Sequence, residues 1–221
     1  MQDFEAEEDA AVVTRLRDAG AIFMGQLNTY EFTFGGRPTF DALYPPARNP
    51  WDITRSTGGS SSGSGAAVAA GFCLGALGSD AGGSIRTPSA FCGVAGMKAT
   101  FGRVSAFGDL PLSFSFDCVG PMTWTSEDSA LMLQALAGHD ERDPGSVETP
   151  VPDYVTPLNG GVRGLKVGMI RHFYTSDFEA PPEIVKSIDG VGNTLRDLGA
   201  TVEEINVSPL IDWHAVGRVI L

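Results

Sequence analysis

The sequence predicts an α/β fold, on three observations. A helix, a glycine and a short strand follow one another near the N-terminus. The same order returns beyond residue 160, which is the alternation that layered α/β proteins are built from. Apolar residues make up 43% of the chain and charged residues 19%, so a buried core is expected rather than disorder.

Taken in order, residues 8–18 place Ala11, Val12, Val13 and Leu16 at helical spacing, with Gly20 as the stop. Ala21-Ile22-Phe23-Met24 reads as a short buried strand. Residues 33–65 are rich in Gly, Pro, Asn and Ser and have almost no period. An irregular stretch of that length inside a domain is usually functional. Residues 62–71 become a run of small side chains, a helix against which neighbouring backbones can pack closely. Residues 74–77 predict a buried strand and 80–86 a second glycine loop, with Pro88 in the first turn of a short helix.

Ser126 is the expected N-cap of a helix over 129–137, with Glu127 and Asp128 in its first turn. Residues 139–156 are polar and Pro-rich, a surface connection. A strand over 165–170, a helix over 182–198 stopped by Gly199, and a strand over 201–205 complete the second α/β stretch. The apolar pattern over 213–221 ends without a cap, and the first strand has no upstream partner. Both features predict a chain incomplete at its two ends.

Composition excludes several classes. The net charge of -12 disfavours direct contact with a phosphate backbone. Cys73, Cys92 and Cys118 are scattered and odd in number, neither a disulfide framework nor a zinc site. The first eight residues have no basic or apolar region of the kind a secretory leader needs, and the least polar run, 63–77, is too short to span a bilayer. A soluble, cytoplasmic protein is expected.

Two serine-glycine loops carry the candidate chemistry: Gly58-Gly59-Ser60-Ser61-Ser62-Gly63-Ser64-Gly65 and Asp80-Ala81-Gly82-Gly83-Ser84-Ile85-Arg86. A serine hydroxyl is a weak nucleophile until a base takes its proton. It also needs N–H groups aimed where an oxyanion will form. Ala81, Gly82 and Gly83 have almost no side chain to block an approaching carbonyl, and Ser84 follows them just before a helix start. Gly and Ser are also the default turn residues, so one such loop alone would be a weak signal. Two loops joined by a small-residue helix and a strand are a stronger one.

These runs, with Gly78-Ser79 before Asp80 and Pro88-Ser89-Ala90-Phe91-Cys92-Gly93 after Arg86, resemble the amidase signature family. The flanks are similar to family segments in the same order: Gly25-Gln26-Leu27-Asn28 with Glu31-Phe32, Arg48-Asn49-Pro50-Trp51-Asp52, Lys98-Ala99-Thr100-Phe101-Gly102-Arg103-Val104-Ser105, and Asp117 with Gly120-Pro121-Met122. The likeness is densest between about residues 20 and 140 and looser to the end. It implies a single amidase-signature domain over residues 1–221, holding part of a mixed, twisted β-sheet flanked by α-helices on both faces.

The resemblance also implies a Ser-Ser-Lys site. Its nucleophile falls on Ser84 and its proton-relaying serine, after a cis peptide bond, on Ser60. Its oxyanion donors fall on the backbone N–H groups of Ala81, Gly82, Gly83 and Ser84, and Asp80 and Arg86 are the expected loop braces. The family's lysine lies in a segment upstream of the first helix. The lysines of this chain, Lys98, Lys166 and Lys186, do not match it, and Gln26 stands where relatives often carry a lysine that is not the base.

The implied activity is hydrolysis of a carboxamide C–N bond in a small molecule, with no metal or organic cofactor. Nucleic acid and membrane are not expected as partners, and a homodimer is an allowed assembly. Glutamine-dependent amidotransferases of the A type share the signature, so ammonia transfer is one alternative. A fragment or scaffold without activity, for want of the lysine, is another.

Two rivals of other classes are weaker. Gly59-Ser60-Ser61-Ser62-Gly63 fits G-x-S-x-G with Ser61 as nucleophile, but 49–57 is not the buried strand that motif requires. His139, His172 and His214 sit where a base is not expected. Gly63-Ser64-Gly65 begins a G-x-G-x-x-G, but Val68 stands in the last position.

Overall fold

The computed structural model describes residues 5–34 and 44–220. The chain divides into two compact units, Met1–Val155 and Thr156–Leu221. Part of the irregular stretch expected over 33–65, residues 35–43, lies outside the described residues.

In the first unit, α1 (Ala11–Asp18) is followed by a short 3₁₀ turn at Glu31–Thr33 and by α2 (Ser62–Ala69). Then come β1 (Gly75–Asp80), α3 (Arg86–Cys92), β2 (Ala95–Gly96), β3 (Cys118–Thr123) and α4 (Ser126–Leu136). The sheet is antiparallel in the order β1-β3-β2, with Gly75 opposite Thr123 and Asp80 opposite Cys118. β3 is buried along its whole length, as a central strand covered on both faces should be. Pro121 sits inside it and has no N–H to give. Its carbonyl still accepts from the Met97 N–H at 3.0 Å, and β2 is only two residues long on that side.

α1 buries Ala11, Val12 and Leu16 and packs on α4. Val12, Leu16, Ala99, Val104, Val119, Leu133 and Leu136 form one apolar cluster. Each fully covered aliphatic side chain of this kind contributes about 1.5–3 kcal/mol. Arg15 on α1 donates to the Leu136 carbonyl at 2.5 Å and to the His139 carbonyl at 2.9 Å. A cation thus meets one carbonyl that the end of α4 leaves without a helical partner, at Leu136, and one from the chain just beyond it. The start of α4 differs from the expected one by a residue: Thr125, not Ser126, is the N-cap, accepting from the Asp128 N–H at 3.1 Å.

Two sequence expectations are corrected. Residues 21–24 form no strand, and Ile22 and Met24 are almost wholly exposed. A strand needs a neighbouring strand to take its N–H and C=O groups, and among the described residues the one backbone bond these four make is from the Ala21 N–H to the Leu16 carbonyl of α1. Leu74 is likewise exposed, and the strand expected over 74–77 runs from Gly75 to Asp80 instead. It extends to Asp80 because β3 pairs with it through Cys118.

In the second unit, β4 (Lys166–Met169) leads to α5 (His172–Thr175), then α6 (Pro182–Asp197), β5 (Thr201–Glu204) and α7 (Leu210–Ile220). β4 and β5 are parallel, with Lys166 opposite Thr201, and α6 is part of the crossover that a parallel pair requires. Pro182 opens α6 and Gly199, at φ +95°, follows its end, both as the sequence predicts. Parallel and antiparallel strands together with these helices make the fold mixed α/β. Among the described residues, no helix is long and apolar enough to cross a membrane.

Candidate active site

β1 delivers the chain into the loop that bears Ser84, and α2 begins directly after the loop that bears Ser60. The small-residue helix packs against both β1 and α3, so the two loops come together. The Ser61 N–H donates to the Ser84 carbonyl at 3.2 Å, a direct backbone link between them.

The second loop is organised by one carboxylate. Asp80 is fully buried at the end of β1. Its Oδ1 accepts from the Gly83 N–H at 2.6 Å and from Arg86 Nη2 at 2.9 Å. Its Oδ2 accepts from the N–H groups of Ile85 and Arg86 at 3.1 and 3.2 Å, and from Arg86 Nε at 3.0 Å. Burial pushes the Asp80 carboxyl upward, but the Arg86 guanidinium and the three backbone donors outweigh it and hold the group below its ordinary value. The loop wraps around Asp80 with Gly83 at φ +126°, a conformation that side chains with a Cβ rarely adopt.

With Gly83 committed to Asp80, the N–H groups of Ala81, Gly82 and Ser84 have no acceptor among the described residues. Gly82 is exposed, and Ala81 and Ser84 are half-buried. The loop therefore presents unused donors beside a serine hydroxyl, on a frame fixed by a buried carboxylate and its arginine.

The first loop handles its hydroxyls differently. The peptide bond from Gly59 to Ser60 is cis. Ser61 Oγ accepts from the Ser79 N–H at 3.2 Å and lies 3.4 Å from the Ser79 carbonyl. Ser62 Oγ donates to the Asn28 carbonyl at 3.3 Å, and Ser64 Oγ donates to the Leu77 carbonyl at 2.7 Å. Ser60 is buried at 3% exposure, and its Oγ has no hydrogen-bond partner among the described residues. Thr33 Oγ1, on the 3₁₀ turn, is the other described side-chain oxygen in that condition. A buried polar group without a partner costs about 1–3 kcal/mol, and such groups concentrate where chemistry is done.

The rival assignments do not find support in these contacts. Ser61 is buried and engaged by Ser79, so its hydroxyl is not presented to a substrate. In the second unit, His172 Nδ1 lies 3.0 Å from Asp177 Oδ2 and its Nε2 accepts from the Val207 N–H at 3.3 Å. Both ring nitrogens are taken, so this His-Asp pair has no nitrogen left to activate a hydroxyl. Lys98 Nζ donates to Cys118 Sγ at 3.2 Å, and Lys166 and Lys186 belong to the second unit.

Sequence reading singled out neither Tyr30 nor Thr33, although both sit in the segment that lies along the first loop. The Tyr30 N–H donates to the Ser60 carbonyl at 2.9 Å, and the Gly63 N–H donates to the Asn28 carbonyl at 2.7 Å. The available signal was Glu31-Phe32 with Asn28 in the family-like segment, which marks the stretch but not these side chains.

Comparison with known proteins identifies the family. A family model described as Amidase matches residues 1–216. The A-type subunit of glutamyl-tRNA(Gln) amidotransferase from Syntrophobacter fumaroxidans is 47% identical over 207 residues, which cover 94% of this chain and 42% of that one. Among solved structures, the corresponding glutamyl-tRNA(Gln) amidotransferase protein of Thermotoga maritima superposes with a TM-score of 0.92 at 37% identity, covering 99% of this chain and 48% of that one. The native peptide amidase from Stenotrophomonas maltophilia does so with a TM-score of 0.83 at 35% identity, covering 99% and 45%. The chain thus spans less than half the length of these relatives. With the family model matched over nearly its whole length, the chain belongs to the amidase family, the signature-bearing group that its two serine loops resemble.

Proposed function

We propose that the chain carries the acylating serines of an amidase that hydrolyses the C–N bond of a small carboxamide. The observation that carries this reading is Ser60 Oγ, buried and unpartnered in a loop bonded to the backbone of Ser84. A neutral lysine, contributed by the segment that precedes residue 1 in the family pattern, takes the proton of Ser60 Oγ. Ser60 takes the proton of Ser84 Oγ, and Ser84 attacks the carbonyl carbon. The developing oxyanion is met by the N–H groups of Ala81, Gly82 and Ser84, with Gly83 held back by Asp80. The C–N bond breaks and the amine leaves with a proton returned through Ser60. Water then hydrolyses the ester by the same relay. Keeping the lysine neutral near pH 7 means lowering its pKa from about 10.4, which costs roughly 4–5 kcal/mol and calls for a dry pocket or a neighbouring cation.

That relay is complete without a metal or an organic cofactor. On this reading residues 1–221 are part of one amidase-signature domain, the protein works in the cytoplasm, and its partner is a small amide. The test is ammonia release from a panel of simple amides, using the protein expressed from its complete reading frame. Release from at least one amide is expected. No release from any, with the protein folded, would favour the inactive scaffold instead.

A second reading has its own observation: the 47% identity to the A-type component of an amidotransferase. On it, the same serines release ammonia from glutamine for transfer to an acceptor. Preference for glutamine over every other amide in the panel would select this reading, and indifference to glutamine would reject it.

A further inference from the structure

Among the described residues Ser60 Oγ has no hydrogen bond to aim it, so its direction is set by the backbone on either side. Downstream, that backbone is held by Ser61, whose N–H reaches the Ser84 carbonyl at 3.2 Å, and by Ser62, whose N–H reaches the Ser60 carbonyl at 2.8 Å. Tyr30 touches both sides of Ser60. Its N–H donates to the Ser60 carbonyl at 2.9 Å. Its ring covers Gly59 so closely that a Cβ placed there would overlap the ring atoms Cε2 and Cζ. One residue thus pins the carbonyl of Ser60 with its main chain and lies on the peptide before Ser60 with its side chain.

We infer that Tyr30 is a positioning residue that fixes the backbone from which the Ser60 hydroxyl must reach Ser84. The inference rests on the serine-relay reading above and deepens it. The ring acts through its volume, since a group larger than the hydrogen of Gly59 does not fit between it and the backbone. The Tyr30 hydroxyl plays no part, so phenylalanine should serve as well. Misplacing a relay group by about 1 Å can cost two orders of magnitude in rate.

The test is steady-state kinetics on the complete protein with an amide it hydrolyses. Tyr30→Ala should lower kcat about 10- to 100-fold with KM within about three-fold, while Tyr30→Phe stays within about two-fold of the parent in both. Gly59→Ala attacks the same contact from the other side. It should lower kcat likewise, and Gly59→Ala with Tyr30→Ala should lose less than the two single losses combined. Gly59→Ala alone keeps the test decisive if Tyr30→Ala does not fold. A raised KM at unchanged kcat would make Tyr30 a substrate contact and overturn the inference, as would full kcat in Gly59→Ala. Ser84→Ala separates the two levels. If it is inactive while Tyr30→Ala is normal, only the role of Tyr30 fails. If Ser84→Ala is active, the relay and the role of Tyr30 fail together.

Discussion

The two serine-glycine loops are built from the same residue types and satisfy their polar groups in opposite ways. Around Ser60, hydroxyls are tied to carbonyls of neighbouring segments, at Asn28 for Ser62 and Leu77 for Ser64, and one hydroxyl is left over. Around Ser84, N–H groups are tied to one buried carboxylate, Asp80, and other N–H groups are left over. The hydroxyls and amides that fix the loops are paired, and the unpaired ones belong to two loops joined by a backbone hydrogen bond. A leftover donor row and a leftover hydroxyl are what a serine acyl-transfer site requires.

The contrast can be broken most severely at its reacting atoms. Ser84→Ala is expected to lower kcat for amide hydrolysis by at least about 10³-fold, with the melting temperature and far-UV circular dichroism unchanged. Ser60→Ala should lower kcat by about 10²- to 10⁴-fold. Its melting temperature should hold or rise, because the substitution removes a buried hydroxyl that has no partner. A Ser60→Ala protein that is less stable and equally active would place Ser60 among the paired, structural hydroxyls.

Asp80→Asn should have the largest effect on stability. It leaves the loop donors with a weaker acceptor and Arg86, itself half exposed, without its partner, at a cost of about 1.5–3 kcal/mol by denaturant unfolding. The pH dependence follows from the lowered carboxyl. The stability Asp80 contributes is complete above its unfolded value of about 3.9 and is lost as pH falls through its lower folded value. Asp109 gives the opposite sign. Burial, with the nearby Asp117 charge, pushes it up to about 6. Its folded form prefers the proton, so stability is highest below about pH 3.9 and declines as pH rises through 6. Asp109→Asn should flatten that decline and stabilise the protein at pH 7 by on the order of 1 kcal/mol.

The smallest effect is expected at Ser64. Ser64→Ala removes the donor to the Leu77 carbonyl and should cost about 1 kcal/mol of stability while leaving kcat within about two-fold. Set beside Ser60→Ala, it gives two serines of one loop whose substitutions have opposite signatures.

Most of the scaffold was legible in sequence where periodicity or a stop residue marked it. The amphipathic α1 and α6, the small-residue α2 and the glycine stops at Gly20 and Gly199 appear as predicted. β3 did not, because a fully covered strand has no alternation to read and Gly120 and Pro121 look like a turn. The strand expected over 21–24 failed for the converse reason: four apolar residues do not reveal whether a neighbour exists to pair with them. Both loops and their serines were legible from the family-like runs. The commitment of the Gly83 N–H to Asp80, and the cover of Tyr30 over Gly59, were not. Neither contact leaves a period or a motif in the sequence, and the second joins segments far apart in the chain.

The central claim is that Ser84 is acylated with help from Ser60. It is tested most directly by treating the complete protein with a fluorophosphonate and mapping the adduct by peptide mass spectrometry. One adduct is predicted, on the peptide containing Ser84, absent in Ser84→Ala and formed far more slowly in Ser60→Ala. An adduct on another residue, or one that persists unchanged in Ser84→Ala, would contradict it.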